Sequence, residues 1–194
     1  RDHGSGNLGA TNAYRVLGAA AAVPVLLVDV GKGALAVWLG QNLLPGIDRV
    51  PDLIPLVCAV GSILGHSLSP FVGFKGGKGV ATALGVLLGL NWIVGLATIG
   101  TWLVMAFLFR ISSLAALTAV ALTPGYIWLL QPEPALLAGS VILGILLFWR
   151  HRSNIRNLID GTEGFRCDGA YADMEAALDG ADILGSLPDS RAIF

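Results

Sequence analysis

The sequence predicts an all-α, polytopic integral membrane protein: a helical bundle of about six transmembrane spans with polar motif loops on the cytoplasmic face. Of its 194 residues, 55% are apolar and 13% are charged, against roughly 25% charged in an ordinary soluble domain. The stretch from Val80 to Trp149 contains two charged side chains, Arg110 and Glu133, and residues 80–109 contain none. Apolar runs of about 20 residues match the roughly 30 Å hydrocarbon core of a bilayer. A water-soluble fold is therefore excluded.

Six apolar segments are the predicted spans. Residues 80–109 fit either two short spans that meet at Leu90-Asn91 or one long tilted helix. The Lys/Arg-bearing connections fall on one side of the membrane, as the positive-inside rule requires, only if this stretch crosses twice. We therefore prefer six spans with both ends in the cytoplasm. The segments are Ala19–Leu43, Leu53–Gly65, Val80–Leu90, Trp92–Phe109, Ser113–Leu130 and Ala135–Trp149.

The charge distribution divides the chain into two parts. Residues 1–163 carry ten Lys/Arg and seven Asp/Glu, a net charge of +3, whereas residues 164–194 carry two and six, a net charge of −4. We expect a membrane-embedded domain in 1–163 and an acidic tail in 164–194, with a helix over 170–184. The two cysteines match no metal or redox spacing, and the composition does not favour a nucleic-acid partner.

The first polar cluster covers residues 4–12 and is followed by Arg15. Small residues let backbone N–H groups face a ligand, while short polar side chains add hydrogen bonds without bulk. On a helix, Arg15 shares a face with Thr11, four residues earlier. The alternative is a loop that only caps a helix. The candidate ligand-binding residues here are Ser5, Gly6, Asn7, Thr11, Asn12 and Arg15.

The second cluster places two lysines among three glycines, directly before an apolar helix. Backbone amides, the helix N-terminus and two full charges suit an anion. The segment is not a Walker A loop, because Gly73 and Gly77 enclose three residues rather than four, and Gly79 stands where a Ser or Thr would bind magnesium. A basic cytoplasmic loop without a ligand is the alternative. The candidate anion-binding residues are Lys75, Gly76, Gly77, Lys78 and Gly79.

The third cluster follows the last span. On a helix, His151 and Asn154 share a face, and Arg152 and Glu163 lie near them in sequence. A basic cap beside the membrane is the alternative interpretation. Between the clusters, Asp29 and Lys32 lie inside an apolar span, where charges are costly; a functional role and a structural ion pair are equally open.

Together the clusters predict a cation-rich pocket at the edge of a hydrophobic bundle, suited to a phosphate head and an acyl chain. No set of His, Cys, Asp or Glu residues has metal-ligand spacing, so we expect neither a metal nor another cofactor. Two other classes of protein compete with an enzyme. A transporter for an anionic phosphorylated metabolite would also place cations and glycines at broken helices, and a lipid-binding scaffold would bind phospholipid without turnover.

Four ordered motifs between residues 4 and 163 closely resemble those of the bacterial acyl-phosphate:glycerol-3-phosphate acyltransferases, the PlsY family. They read SGNLGATN with Arg15, DVGKG, GHSLSPFVGFKGGKGVAT, and HRSNI with GTE. The resemblance implies transfer of a fatty acyl group from acyl phosphate to the 1-hydroxyl of sn-glycerol 3-phosphate, giving lysophosphatidate and phosphate. It also implies a multi-pass enzyme of the bacterial inner membrane with its active site facing the cytoplasm. We expect the two substrates and membrane lipid as its partners, and no obligate protein partner.

The chemistry assigns roles to the candidate residues. Lys75, Lys78 and the amides between them would hold the donor phosphate. Ser5 and Asn154 would donate hydrogen bonds to the developing oxyanion, and Arg15 would bind a substrate phosphate bidentately. An acyl phosphate has a good leaving group, so direct attack by the glycerol hydroxyl is preferred to an acyl-enzyme on Ser5. The expected catalytic residues are Ser5, Arg15, Lys78, His151 and Asn154, and the expected substrate-binding residues are Gly6, Asn7, Thr11, Asn12, Lys75, Gly76, Gly77, Gly79, Arg152 and Glu163.

The proton of the attacking hydroxyl needs an acceptor. The resemblance suggests that the substrate's own phosphate accepts it. His151 and then His66 are the side-chain alternatives, because imidazole titrates near neutrality. The sequence differs from the family pattern in three places. We expect family members to have an apolar helix before the first motif, with which this sequence opens. The acidic tail after the last motif is unusual, and Asn157 stands where many members have a basic residue.

Overall fold

The computed structural model describes residues 5–42 and 53–163, and the regular elements in these two ranges are all helical. They comprise eight α-helices and a short 3-10 turn at Pro70–Val72. The all-α prediction is confirmed. The acidic tail and its predicted helix lie outside the described residues. The helices are α1 (Ala10–Leu17), α2 (Ala19–Asn42), α3 (Leu53–Ser67), α4 (Val80–Leu90), α5 (Trp92–Phe109), α6 (Ser112–Leu130), α7 (Pro134–Arg150) and α8 (Arg152–Ile159).

Each of the six predicted apolar segments contains one helix, from α2 to α7, and the helix ends fall within two residues of the predicted ends. Four described segments are long and apolar enough to cross a membrane unaided: α2, α5, α6, and α3 continued into the 3-10 turn. A fifth is the pair of α7 and α8, which is bent by 64°. The sixth, α4, is apolar but has only 11 residues. The integral membrane fold is confirmed; among the described residues, four segments reach the full length of a span by themselves, or five if α7 and α8 are counted as one.

The chain breaks at Asn91, between α4 and α5. The Asn91 Oδ1 atom caps α5 by accepting hydrogen bonds from the N–H groups of Ile93 (2.9 Å) and Val94 (3.0 Å). The two helices then fold against each other, because a Cβ atom placed on Gly95 would lie 3.0 Å from Leu88 Cα. The interpretation of residues 80–109 as two helices is therefore confirmed.

α4 is the central helix of the bundle. Its backbone packs directly on α2, where a Cβ atom on Gly85 would overlap the Val30 carbonyl and one on Gly33 would overlap the Thr82 carbonyl. Small residues of this kind allow membrane helices to approach closely. α4 also contributes to both apolar clusters of the core. The first comprises Val37, Ala59, Ile63, Ala83, Val86, Leu143 and Leu147, and the second comprises Leu87, Val94, Ile127 and Leu136.

The outer faces of the long helices carry exposed apolar side chains. Val28 on α2, Phe107 on α5 and Leu129 on α6 have relative exposures of 67%, 83% and 69%. Such a surface is unfavourable in water but matches the acyl chains of a bilayer. The protein is therefore an inside-packed bundle with a lipid-facing exterior.

α4 is short, and the chain segment directly before it has no regular secondary structure. Eleven residues rise about 16 Å, roughly half of the hydrocarbon thickness. The chain before α4 is irregular, yet Gly76, Gly77 and Gly79 are buried in the bundle. Irregular backbone beside a membrane is tolerated where protein covers it or where it lines a cavity. The second sequence motif is thus folded into the protein rather than displayed on its surface.

Candidate active site

Four polar side chains from three parts of the chain meet in what we call the Lys78 cluster: Lys78, Ser113, Asn154 and Glu163. Lys78 Nζ donates a hydrogen bond to Asn154 Oδ1 (2.5 Å), and Asn154 Nδ2 donates to Glu163 Oε1 (2.5 Å). Ser113 Oγ donates to the same carboxylate oxygen, also at 2.5 Å. These bonds orient the Asn154 amide and hold one cation and one carboxylate on opposite sides of it.

Lys78 is partly buried just before α4. Burial lowers the pKa of its ammonium group below the usual value; the carboxylate of Glu163 opposes this shift, and the charges of Arg15 and Arg150 add to it. These interactions bring an arginine of the first motif and one at the end of α7 near Lys78. A poorly hydrated ammonium among other cations is a favourable partner for an anionic group.

His151 lies at the bend between α7 and α8, and only 3% of its surface is exposed. Its Nδ1 atom is 2.8 Å from the Leu147 carbonyl oxygen, so in the neutral ring Nδ1–H donates and Nε2 remains an acceptor. Burial lowers the pKa of His151 to about 4, although the bond to Leu147 opposes the shift. The imidazole is therefore neutral at physiological pH. His151 is the N-cap of α8, and its carbonyl oxygen accepts a hydrogen bond from the Ile155 N–H at 2.9 Å. It therefore lies in the first turn of α8, three residues before Asn154.

Arg150, the last residue of α7, contacts the backbone of the second motif. Its Nη2 atom donates hydrogen bonds to the carbonyl oxygens of Gly76 and Gly77, each at 3.0 Å. The Gly76 N–H in turn donates to the Ser67 carbonyl oxygen at 3.0 Å. The two glycines are thus held between the ends of α3 and α7.

A second polar cluster, the Asp29 cluster, contains Asp29, Lys32 and His66. Lys32 Nζ lies 2.5 Å from Asp29 Oδ1 and 2.6 Å from His66 Nδ1, and His66 Nδ1 is 3.4 Å from Asp29 Oδ1. The ion pair that the sequence left open between Asp29 and Lys32 is present. The His66 imidazole also packs against Gly77, where a Cβ atom would overlap the ring.

The first motif, residues 4–12, packs against the second motif. Ser5 donates hydrogen bonds from its N–H (2.7 Å) and its Oγ (3.0 Å) to Asn12 Oδ1, which ties the exposed loop to α1. A Cβ atom on Gly77 would overlap the Leu8 carbonyl oxygen as well as His66, so the first and second motifs are in contact. Thr11 and Arg15 both belong to α1, as their shared face requires.

A cavity of about 740 Å³ is lined by residues of the first motif, by the Asp29 cluster and by two glycines of the second motif. Polar side chains and backbone line one part of it, and apolar side chains from α1 and α2 line another. The polar lining includes Asn7, Asn12, Asp29, Lys32, His66, Gly76 and Gly77; the apolar lining includes Leu8, Ala13, Val16, Leu17 and Val25.

The predicted site residues divide into those that the structure brings together and those that it does not. Lys78, Asn154 and Glu163 form one cluster with Arg15 and His151 beside it, and Asn7, Asn12, Gly76 and Gly77 line the adjoining cavity. Arg152 instead points away: it is exposed, its guanidinium lies 5.2 Å from the centre of the Trp149 ring, and it donates to the Trp149 carbonyl. Lys75 is exposed, and Gly79 is the N-cap of α4, with a φ of 86°.

Two residues of the site were missed by sequence reasoning. Ser113 follows an isolated charge, Arg110, at the start of an apolar span, which was the available signal for it. Arg150 had no predicted role in the site. Within the described ranges, no group of three His, Cys, Asp or Glu residues could hold a metal ion.

Comparisons with known proteins give the family of the chain. The family model described as glycerol-3-phosphate acyltransferase matches residues 1–161. The glycerol-3-phosphate acyltransferases of Thioalkalivibrio sulfidiphilus and Paramagnetospirillum magneticum are each 49% identical to the chain, over 163 and 164 residues. Each alignment covers 84% of this chain and 78% of the relative.

Two crystal structures of PlsY (YgiH), an integral membrane glycerol 3-phosphate acyltransferase, have the same fold. The glycerol 3-phosphate form superposes with a TM-score of 0.78 at 37% identity, covering 85% of this chain and 80% of that one. The lysophosphatidic acid form gives 0.76 at 36% identity, covering 83% and 80%. The motifs, the helical bundle and the matched length together establish that the chain belongs to the glycerol-3-phosphate acyltransferase family.

Proposed function

We propose that this protein transfers a fatty acyl group from acyl phosphate to the 1-hydroxyl of sn-glycerol 3-phosphate, producing lysophosphatidate and inorganic phosphate. The observation that carries the proposal is the contact of the second motif with the other two: Lys78 bonds to Asn154, and Gly77 packs on the Leu8 carbonyl beside the cavity. The family to which the chain belongs supports the reaction, and the solved relative is known in forms with glycerol 3-phosphate and with lysophosphatidic acid. The match to residues 1–161 supports assigning the acyltransferase domain to residues 1–163.

The shape of the cavity suits substrates with two chemically different ends. Its polar side, with backbone from Gly76 and Gly77, fits a phosphate group. Its apolar side, formed by residues such as Val16, Leu17 and Val25, fits a fatty acyl chain. A transporter that carries only a water-soluble phosphate metabolite would not need that apolar lining.

The reaction forms one bond and breaks one. The 1-hydroxyl oxygen attacks the acyl carbonyl carbon, a carbon–oxygen ester bond forms, and the bond from that carbon to the phosphate oxygen breaks. Lys78 stabilises the charge that grows on the departing phosphate. Arg15 orients a substrate phosphate through its guanidinium. Ser5 and Asn154 are proposed donors to the carbonyl oxygen, which for Asn154 requires its amide to exchange its contact with Glu163.

The hydroxyl proton is accepted by a phosphate rather than by His151. A phosphate monoester has a second pKa of about 6, whereas burial lowers the pKa of His151 to about 4. The dianionic phosphate is therefore the stronger base near neutrality. His151 contributes a neutral imidazole whose Nε2 is available as a hydrogen-bonding partner beside Lys78.

The proposed location is the inner membrane of a bacterium, with the active site facing the cytoplasm. The clusters that contain Lys78 and Arg150 lie at one end of the bundle, whereas the opposite end contains the hydrogen bond between Asn91 and Gln131. Lys and Arg residues concentrate on cytoplasmic loops of membrane proteins. The end that contains the active site is accordingly assigned to the cytoplasm.

An acyl-transfer assay on the purified, detergent-solubilised chain tests the function. Palmitoyl phosphate and radiolabelled glycerol 3-phosphate are supplied, with palmitoyl-CoA as a parallel donor. We expect labelled lysophosphatidate and an equal amount of phosphate from palmitoyl phosphate alone. A second chain with an apolar helix added before residue 1 is assayed in parallel. Absence of product from both chains, with phosphate counterflow in proteoliposomes, would instead identify a transporter.

A further inference from the structure

The contact between Arg150 and the second motif has an unusual geometry. One guanidinium nitrogen, Nη2, binds two consecutive carbonyl groups, those of Gly76 and Gly77. In an extended chain, consecutive carbonyls point in alternate directions, so two of them on one donor require a local turn of the backbone. Neither position has room for a Cβ atom: one on Gly76 would overlap the His66 carbonyl oxygen, and one on Gly77 would overlap the His66 ring and the Leu8 carbonyl oxygen.

The orientation of the carbonyls determines that of the amides. Across a trans peptide bond, the C=O and the following N–H point in opposite directions. Because the carbonyl groups of Gly76 and Gly77 point toward the Arg150 guanidinium, the N–H groups of Gly77 and Lys78 point away from it. In the described part of the chain, no acceptor is bonded to either N–H. Gly76 and Gly77 line the cavity, whereas Arg150 does not, so the side away from Arg150 faces the cavity.

We propose that Arg150 is a positioning residue, which holds the amides of Gly77 and Lys78 toward the cavity so that they bind the phosphate of a substrate. This inference rests on the proposed function, which already assigns backbone amides of the second motif to phosphate, and it adds the side chain that orients them. The ligand class is a phosphate monoester or an acyl phosphate, and the oxygens of either can accept from both N–H groups. Arg150 itself touches no substrate atom.

Three variants test the proposal by steady-state kinetics. Arg150→Met removes the donors at similar length, Arg150→Lys restores one cationic nitrogen, and Arg156→Met removes a matched, exposed arginine of α8. We expect Arg150→Met to raise the KM of one phosphate substrate about tenfold or more, with kcat changed less. The KM of Arg150→Lys for that substrate should lie between the values of Arg150→Met and wild type, and the KM of Arg156→Met should equal that of wild type.

The two substrates distinguish the source of the phosphate. A rise in the KM of acyl phosphate identifies the donor, and a rise in that of glycerol 3-phosphate identifies the acceptor. Equal KM values in Arg150→Met and Arg156→Met would overturn the proposal, as would a loss confined to kcat. A wild-type enzyme without lysophosphatidate product would instead refute the proposed function.

Hydrogen exchange on the wild-type protein gives a test that does not depend on the folding of a variant. Backbone amide exchange is followed by mass spectrometry with and without inorganic phosphate. We expect phosphate to slow exchange at Gly77 and Lys78 relative to the amides of α8. Unchanged exchange at both positions, under conditions where phosphate inhibits turnover, would overturn the proposal.

Discussion

Lys78 Nζ donates a hydrogen bond to Asn154 Oδ1 at 2.5 Å, joining two motifs that are 76 residues apart in the chain. The bond connects the segment before α4 with the first turns of α8. It gives the cluster a defined shape before any substrate is present, and such preorganisation is what electrostatic stabilisation of a transition state requires.

Removal of either of the two principal cations should nearly abolish turnover. We expect Lys78→Ala and Arg15→Ala each to reduce kcat/KM by about 100-fold or more, because each loses a charge that stabilises phosphate in the transition state. Membrane insertion and thermal unfolding should remain close to wild type, since neither side chain belongs to the apolar core. Near-normal turnover in either variant would refute the assigned roles. Acyl-transfer assays at matched protein levels in membranes provide the measurement.

Direct attack predicts no acyl-enzyme. Ser5 Oγ is bonded to Asn12 Oδ1, an amide oxygen that is not basic enough to activate a hydroxyl nucleophile. Rapid-quench experiments with acyl phosphate alone should therefore show no stoichiometric burst of phosphate. Release should begin when glycerol 3-phosphate is added, and double-reciprocal plots should intersect. A burst that is absent from Ser5→Ala would establish the covalent route instead.

Ser113 should matter more than the neighbouring Ser112. Ser113 is buried and donates to the carboxylate of Glu163, so Ser113→Ala leaves this acceptor with one partner fewer. Hydrogen bonds to charged groups contribute enough to predict about a tenfold loss of kcat/KM. Ser112→Ala, which removes the same atom from the adjacent position, serves as the matched control. Equal activities of the two variants would remove Ser113 from the site.

The stability of the protein should fall in acid because of His151. Its pKa is about 4 in the folded protein and about 6.5 when unfolded, so between these values the unfolded state binds the additional proton. Its contribution is complete above about pH 6.5 and is lost progressively down to about pH 4. Thermal unfolding in detergent should therefore show a smaller fall in Tm from pH 7 to pH 5 for His151→Gln than for wild type. Identical falls in Tm would contradict a neutral, buried imidazole.

The sequence predicted the helices well, because long apolar runs and the placement of Lys and Arg depend on the local chain and on the membrane. The break at Asn91 is an example, since the charge pattern required two crossings there. The same reasoning did not distinguish helix faces. Gly61 and Gly85 each stand four residues before another glycine. A Cβ atom on Gly85 would overlap the Val30 carbonyl of α2, whereas one on Gly61 would meet no described atom within 4 Å. Only tertiary packing decides which of two such patterns forms an interface.

The site was predicted in part for a similar reason. Motif residues such as Lys78 and Asn154 carry a recognisable local pattern, but their partners are distant in sequence. Ser113 reaches Glu163 across 50 residues, and Arg150 reaches Gly77 across 73. Arg150 and Arg152 also look equivalent in sequence, and both guanidinium groups lie over the Trp149 ring, at 5.8 Å and 5.2 Å. Of the two, Arg150 also donates to the glycine carbonyls, because the chain bends at His151 between them. The spacing of residues in the sequence does not predict that bend.

The most direct test of the central claim compares wild type with Lys78→Ala for transfer from palmitoyl phosphate to labelled glycerol 3-phosphate, in the same membranes and at equal protein levels. The account predicts labelled lysophosphatidate with one phosphate released per product molecule from wild type, and a rate lower by about 100-fold or more from the variant. Equal rates from the two proteins, or product that forms only from palmitoyl-CoA, would contradict it.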